Sequence, residues 1–398
     1  MKNLAVLIFV LLVSVPSLAI AASPAPGIYR DASDHRLYVG IDEEPPDRLI
    51  NYFDPQTQAD GAISQPGSLH LEKAVSENRV HINAPHGPLG VSLWYADNRK
   101  RAAIILIHGN EAETRNEGFF IPYFVLNGIN VISYDQRGTG ESAGDWQKNG
   151  PIQRAEDVAA IYDMLAANPF VDGARMGVWG FSNGGWTAPI LATKRPIAFM
   201  ILMSAPAGTI ADNIYFELRQ RMLHDHFNEK EISAATATLR AQIDALAGTG
   251  SWDRARTMYE AAIRQKWFAD LAMRPHQQFP PANGLAEAQR RALLYDPLPI
   301  VRRVTVPTLA LYGALDRNVD SSHDSALLRT VLTKAGVRDL TVHVYENAGH
   351  SLSVSADGHD EGPLPRQYVR GFPRIMLDWL KRRGFLNAAA TPATRRAP

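Results

Sequence analysis

The stretch Gly177–Trp186 reads GVWGFSNGGW, and its reading decides the fold. Gly180, Ser182 and Gly184 form the pattern G-x-S-x-G. In a nucleophile elbow a buried strand enters a tight turn, a helix leaves at once, and the serine stands on the turn with its hydroxyl exposed. The flanks agree. Met176–Trp179 is apolar and strand-like, and Gly185–Ala192 reads as the start of a helix. Glycines beside the serine are required because side chains there would meet the neighbouring strand and helix.

Working outward, strand and helix signals alternate. Ala102–Ile107 is a continuous apolar run, as expected of a parallel strand covered on both faces. Phe119–Asn127 predicts a helix, Asn130–Tyr134 a strand, and Pro151–Ala167 an amphipathic helix with proline in its first turn. Strands at Met176–Phe181 and Ile197–Met203 bracket the elbow helix. The alternation predicts βαβ units: an α/β fold with a mostly parallel central sheet and helices on both faces. It stops over 208–300, where helical spacing in Ala234–Leu246 and Trp252–Ala262 predicts an inserted helical cap. It resumes with a strand at Thr308–Tyr312, a helix at His323–Ala335, a strand at Leu340–Tyr345 and a closing helix at Tyr368–Arg383. The core is thus expected in two parts, 80–207 and 301–386. Before it, 23–79 reads as a β-rich lead-in punctuated by Gly and Pro, with a hairpin around Pro85-His86-Gly87-Pro88. Residues 387–398, rich in Ala, Thr, Pro and Arg, read as a disordered tail.

A nucleophilic serine needs a base and a group to orient that base. His350 follows the Leu340–Tyr345 strand in Asn347-Ala348-Gly349-His350-Ser351 and is the expected base. Asp316 follows the Thr308–Tyr312 strand, where sites of open α/β sheets gather, and is the expected orienting carboxylate. Asp320 is the alternative acid, set second because Asp316 lies nearer the strand end, and Asp320 or Asp324 can instead cap the next helix. The chain order is Ser182, Asp316, His350. An oxyanion hole needs two backbone N–H donors. One is expected from Asn183, and the other from Asn110 in His108-Gly109-Asn110-Glu111, with Glu111 the adjacent alternative. His108 is expected to hold that loop rather than to titrate in the reaction.

These motifs resemble the α/β-hydrolase superfamily. IILIHGN resembles its oxyanion loop, and YDQRGTGES (Tyr134–Ser142) is similar to a stretch of prolyl aminopeptidase-like members. VDGARMGVWGFSNGG (Val171–Gly185) resembles the elbow of dienelactone hydrolase and prolyl-oligopeptidase-like members. VPTLALYGALDRNVD and NAGHS resemble the acid and histidine loops. The resemblance covers roughly Val80–Leu386. It implies cofactor-free hydrolysis of esters, amides, thioesters or lactones. Two departures narrow it. The oxyanion loop reads H-G-N and lacks the H-G-G-G of the hormone-sensitive-lipase type, and a serine nucleophile disfavours haloalkane and epoxide chemistry.

Composition bounds the rest. The 398 residues carry 41 Lys+Arg against 41 Asp+Glu, so no net field argues for nucleic acid. Residues 1–22 read as a signal peptide: Lys2, an apolar run Leu4–Val15, and Ala19-Ile20-Ala21 before a cleavage expected after Ala21. The expected product is periplasmic or secreted, with no stable membrane insertion. There is no cysteine, hence neither a disulfide nor a lipid-modified cysteine. His224-Asp225-His226 has the wrong spacing for two ligands on one helix face, so no metal is expected there. His359-Asp360-Glu361 reads as a solvated loop. The cap aromatics Tyr215, Phe216, Trp252, Tyr259, Trp267 and Phe268 read mostly as cap core.

The expected function is an exported serine hydrolase acting on a small-molecule ester through an acyl-enzyme on Ser182. A peptidase acting on short peptides is the alternative. It would need an anionic anchor for the substrate's free amine, with Glu217, Glu229, Glu231 and Glu260 as candidates. A non-catalytic binding protein on the same fold is the remaining reading.

Overall fold

The computed structural model describes residues 27–31, 37–40, 50–54, 59–63, 71–110, 112–270, 293–358 and 366–386. The leader, the tail, Glu111 and His359-Asp360-Glu361 lie outside the described residues.

The strands of the alternating α/β pattern form the parallel part of the sheet. They are β7 (Arg101–Ile107), β8 (Asn130–Tyr134), β9 (Val171–Phe181), β10 (Phe199–Met203), β11 (Thr308–Gly313) and β12 (Leu340–Tyr345). They lie in the order β12-β11-β10-β9-β7-β8, each pair parallel. Every residue of β8, β10 and β11 is buried, because helices cover both faces of parallel strands. The hairpin of β5 (Leu71–Ala84) and β6 (Gly87–Trp94) adds on antiparallel, through β6 and β8. Beyond β5 the sheet continues as β1 (Gly27–Asp31), β2 (Leu37–Gly40), β3 (Ile50–Asp54) and β4 (Ala59–Ile63), and ends on β13 (Arg366–Gln367).

On one face α2 (Pro151–Ala166), α3 (Gly184–Lys194) and α8 (Ser321–Lys334) pack through Val158, Ile161, Leu165, Leu191, Leu328 and Leu332. On the other lie α1 (Phe120–Val125) and α9 (Arg374–Arg382), with Phe124, Met376 and Trp379 buried against Trp179 and Phe199. Full burial of such a side chain contributes about 1.5–3 kcal/mol. The closing helix is shorter than the predicted Tyr368–Arg383. Pro373 bars its predecessor from helical geometry and Gly371 sits at φ 93°, so the helix starts only after the proline.

Between β10 and β11 come α4 (Ile210–His224), α5 (Glu229–Ala247), α6 (Trp252–Ala262) and, just before β11, the short α7 (Leu298–Val301). Capping boxes start α4 (Thr209 with Asp212) and α5 (Asn228 with Glu231), and Gly248 at φ 77° ends α5. Leu218, Met222, Ile232, Leu239, Tyr259, Trp267 and Phe268 give these helices a core of their own.

Candidate active site

Ser182 closes β9 and Asn183 opens α3. The serine adopts φ 49°, a left-handed conformation that costs a non-glycine residue about 1–3 kcal/mol. The turn is held by Ser182 N–H donating to the Met203 carbonyl (2.9 Å) and by Gly185 N–H donating back to the Ser182 carbonyl (2.8 Å). A Cβ on Gly184 would stand 2.5 Å from the Ile107 carbonyl oxygen, and one on Gly180 would stand 2.8 Å from that of Gly184. Both positions of the motif are therefore steric requirements, as the sequence reading anticipated.

The acid and histidine loops meet beside this turn. His350 Nδ1 and Asp316 Oδ2 are 2.8 Å apart, and the Asp316 carboxylate is fully shielded from solvent. Asp316 Oδ1 accepts the N–H groups of Asn318 (2.8 Å) and Val319 (2.9 Å), so both oxygens have fixed partners. Asp320 instead accepts the N–H of His323 and caps α8. The loops approach so closely that a Cβ on Gly313 would lie 2.3 Å from the Gly349 carbonyl oxygen.

Of three neighbours of the histidine, Phe181 and Ser204 carried no sequence signal, while Glu217 was one of the candidate cap acids. Phe181 stacks a tilted ring against the His350 imidazole at 4.9 Å. Ser204, left-handed at φ 49°, donates its hydroxyl to the His350 carbonyl at 2.6 Å. Met203 and Ser204 thus tie the serine turn and the histidine loop to one strand end. Glu217, on α4, is within electrostatic reach of the pair. Burial raises its pKa, His350 pulls it down and Asp316 pushes it up, while Asn213 donates to its Oε1 at 2.7 Å.

The His108–Asn110 loop also lies against the serine turn. A Cβ on Gly109 would come to 3.5 Å from the Ser182 Cβ. Gly109 N–H donates to Glu113 Oε2 (3.0 Å), so it is committed elsewhere. Among the described residues neither Asn110 N–H nor Asn183 N–H has an acceptor. His108 is buried, with Nε2 on the Tyr134 carbonyl and Nδ1 at 2.5 Å from Glu117 Oε1 and 3.5 Å from Glu113 Oε2. Burial alone would depress its pKa, but the two carboxylates outweigh burial and push it up to about 10. His108, Glu113 and Glu117 also group their ligand atoms within 4.8 Å. Ligands of one tetrahedral metal ion sit roughly 3.3–3.6 Å apart, so a 2.5 Å contact fits a shared proton better.

YDQRGTGES forms a buried knot beside the loop. Asp135 accepts Arg115 Nε (3.1 Å), Arg115 N–H (2.8 Å) and Glu141 N–H (2.8 Å). Arg137 pairs with Asp157 at 2.5 Å, with both side chains buried. Gly140 is left-handed at φ 48°, and a Cβ there would strike the Asp135 carboxyl at 2.4 Å. The motif is architectural, except that Gln136 Nε2 reaches the Gly109 carbonyl at 3.3 Å.

A mostly parallel sheet with a serine on a strained strand–helix turn, and acid and histidine loops after later strands, defines the α/β-hydrolase superfamily. Residues 98–356 match the Hydrolase_4 model, described as "Serine aminopeptidase, S33", and the chain belongs to that family. It is 26% identical over 263 residues to the uncharacterized protein YcjY of Escherichia coli K12, covering 64% of this chain and 83% of that one. It is 30% identical over 120 residues to a bifunctional esterase/perhydrolase, DCH, of Acinetobacter calcoaceticus (29% of this chain, 42% of the relative). It is 24% identical over 241 residues to a probable dipeptidyl-aminopeptidase B of Fusarium vanettenii (56% of this chain, 24% of the relative). Relatives therefore include both esterase- and peptidase-like hydrolases.

Proposed function

We propose that this chain is a serine hydrolase that cleaves small carboxylic esters through an acyl-enzyme on Ser182. The observation that carries the reading is the His350 Nδ1–Asp316 Oδ2 contact of 2.8 Å beside a serine strained to φ 49°. With Nδ1–H donated to Asp316, Nε2 of the imidazole is the base. It takes the Ser182 proton as Oγ attacks the carbonyl carbon, and the oxyanion is received by the N–H groups of Asn183 and Asn110. His350 then gives that proton to the leaving alcohol. Water, deprotonated by the same nitrogen, attacks the acyl group and restores Ser182. Asp316 orients the imidazole and stabilises its cationic form. The α4–α6 segment acts as a cap that selects the substrate.

A peptidase reading has one specific observation in its favour. Of the cap acids, Glu229 pairs with Arg219 at the surface (2.8 Å), Glu231 closes the capping box of α5, and Glu260 is exposed. Glu217 lies within electrostatic reach of His350 and Asp316 and is the candidate to meet a substrate ammonium. Export rests on the 1–22 leader. N-terminal sequencing of protein made in a Gram-negative host is expected to begin at Ala22, and a retained Met1 would count against it.

The deciding experiment is fluorophosphonate labelling, followed by rates on p-nitrophenyl acyl esters and aminoacyl p-nitroanilides. Labelling of the wild type but not of Ser182→Ala, with esters turned over faster than anilides, is the expected result. An unlabelled wild type would sink the mechanism, and faster anilide cleavage would favour the peptidase.

A further inference from the structure

The back of the His108–Asn110 loop carries an arginine that the mechanism above does not use. Arg154 lies in the first turn of α2, half-buried. Its Nη1 donates to the Gly109 carbonyl at 2.6 Å and its Nε to the Asn149 carbonyl at 2.9 Å. Among the described residues no carboxylate lies within ion-pair distance of it. Burial pushes its pKa down, with Tyr134, Glu113 and Asp157 pulling it back up. A desolvated guanidinium that donates to two main-chain carbonyls is costly to maintain.

The carbonyl it holds belongs to a particular peptide unit. The Gly109 C=O and the Asn110 N–H share one plane and, in a trans peptide, point in opposite directions. Arg154 and Gln136 fix the oxygen on the α2 side (2.6 and 3.3 Å), which turns the Asn110 N–H the other way. Glu113 takes the preceding N–H, that of Gly109, at 3.0 Å. The loop is thereby clamped at both ends with one peptide N–H unspent.

Resting on the serine-hydrolase reading, we propose that Arg154 is a positioning residue for the oxyanion hole, acting through the Gly109 carbonyl. It does this in two ways. It sets the peptide plane before substrate arrives, so no reorientation is needed as charge develops. Its positive charge also draws electron density through the amide and strengthens the Asn110 N–H as a donor. Both effects grow with negative charge on the substrate oxygen, so they act on the transition state and little on bound substrate. Gln136 supplies a neutral second hold.

The test compares Arg154→Met, Arg154→Lys and Gln136→Leu with wild type. Three quantities are measured: kcat and KM on a p-nitrophenyl ester, inhibition by a trifluoromethyl ketone that forms a hemiketal oxyanion, and thermal unfolding. Arg154→Met is expected to lower kcat about 30–100-fold with KM within about twofold, and to weaken the ketone by a similar factor. Arg154→Lys, which keeps the charge, recovers part of both, and Gln136→Leu loses about threefold. Unchanged kcat in Arg154→Met overturns the proposal. So does a kcat loss with undiminished ketone affinity, which would mark a role outside the oxyanion hole. If Arg154→Met fails to fold, the kcat and ketone affinity of the Lys and Gln136 variants must still move together, or the proposal falls. Failure here alone leaves an active, fluorophosphonate-labelled wild type. Failure of the underlying reading shows as a wild type that neither labels nor turns over.

Discussion

The strand-end site and the helical segment above it are built on different principles. At the strand ends, single atoms fix each element: the Met203 carbonyl holds Ser182, the Ser204 hydroxyl holds the His350 carbonyl, and Gly313 lets two loops touch. The α4–α6 segment closes on its own apolar cluster of Leu218, Ile232, Tyr259 and Trp267. The sheet supplies rigidity to within a hydrogen bond's tolerance.

This contrast can be broken in several places. The largest effect is expected for Ser182→Ala, a loss of about 10⁴-fold or more in kcat with little change in unfolding temperature. Retained turnover would place the chemistry elsewhere. Substituting Gly184 by Ala drives a Cβ against the Ile107 carbonyl. It should cost several kcal/mol, on the order of other core overpacking defects, and be visible as a lowered denaturant midpoint. Arg137→Met strands the buried Asp157 carboxylate and should cost about 3–5 kcal/mol in the same assay, with the surviving folded enzyme still active. In the helical segment, Glu217→Gln sharpens the comparison. On the ester reading, KM and kcat for p-nitrophenyl esters move less than about threefold, whereas on the peptidase reading KM for aminoacyl anilides rises at least tenfold.

A last effect is a pH dependence. The folded pKa of His108 is raised to about 10, above its unfolded value near 6.5. Its contribution to stability is therefore complete below about pH 6.5 and is lost as pH rises toward 10. Melting temperature should fall more steeply between pH 7 and 10 in the wild type than in His108→Gln. Parallel slopes would show that His108 is neutral in the folded protein.

Much of the fold was legible because parallel strands covered on both faces are apolar and edge strands still favour β-branched and aromatic residues. Ala102–Ile107, Asn130–Tyr134 and Leu340–Tyr345 could be read almost to the residue. The closing helix was read too long, since its amphipathic pattern runs past a proline that forbids helix on its N-terminal side. Within the site, Ser182, Asp316 and His350 announce themselves through turn chemistry and their positions after strands. Ser204, Phe181 and Arg154 do not, because nothing local distinguishes them from other residues of a strand or helix.

The sequence alone determined the order of strands and helices, the elbow, and the aspartate and histidine that follow later strands. These depend on periodicity, on glycine at crowded turns and on chain order, all local properties. Only the tertiary structure decided which cap acid interacts with His350, that YDQRGTGES is a buried ion-pair knot, and that α2 reaches the back of the Gly109 peptide. Each depends on contacts between residues 20 to 146 positions apart, such as Arg115–Asp135 and Ser204–His350, and no local pattern records them.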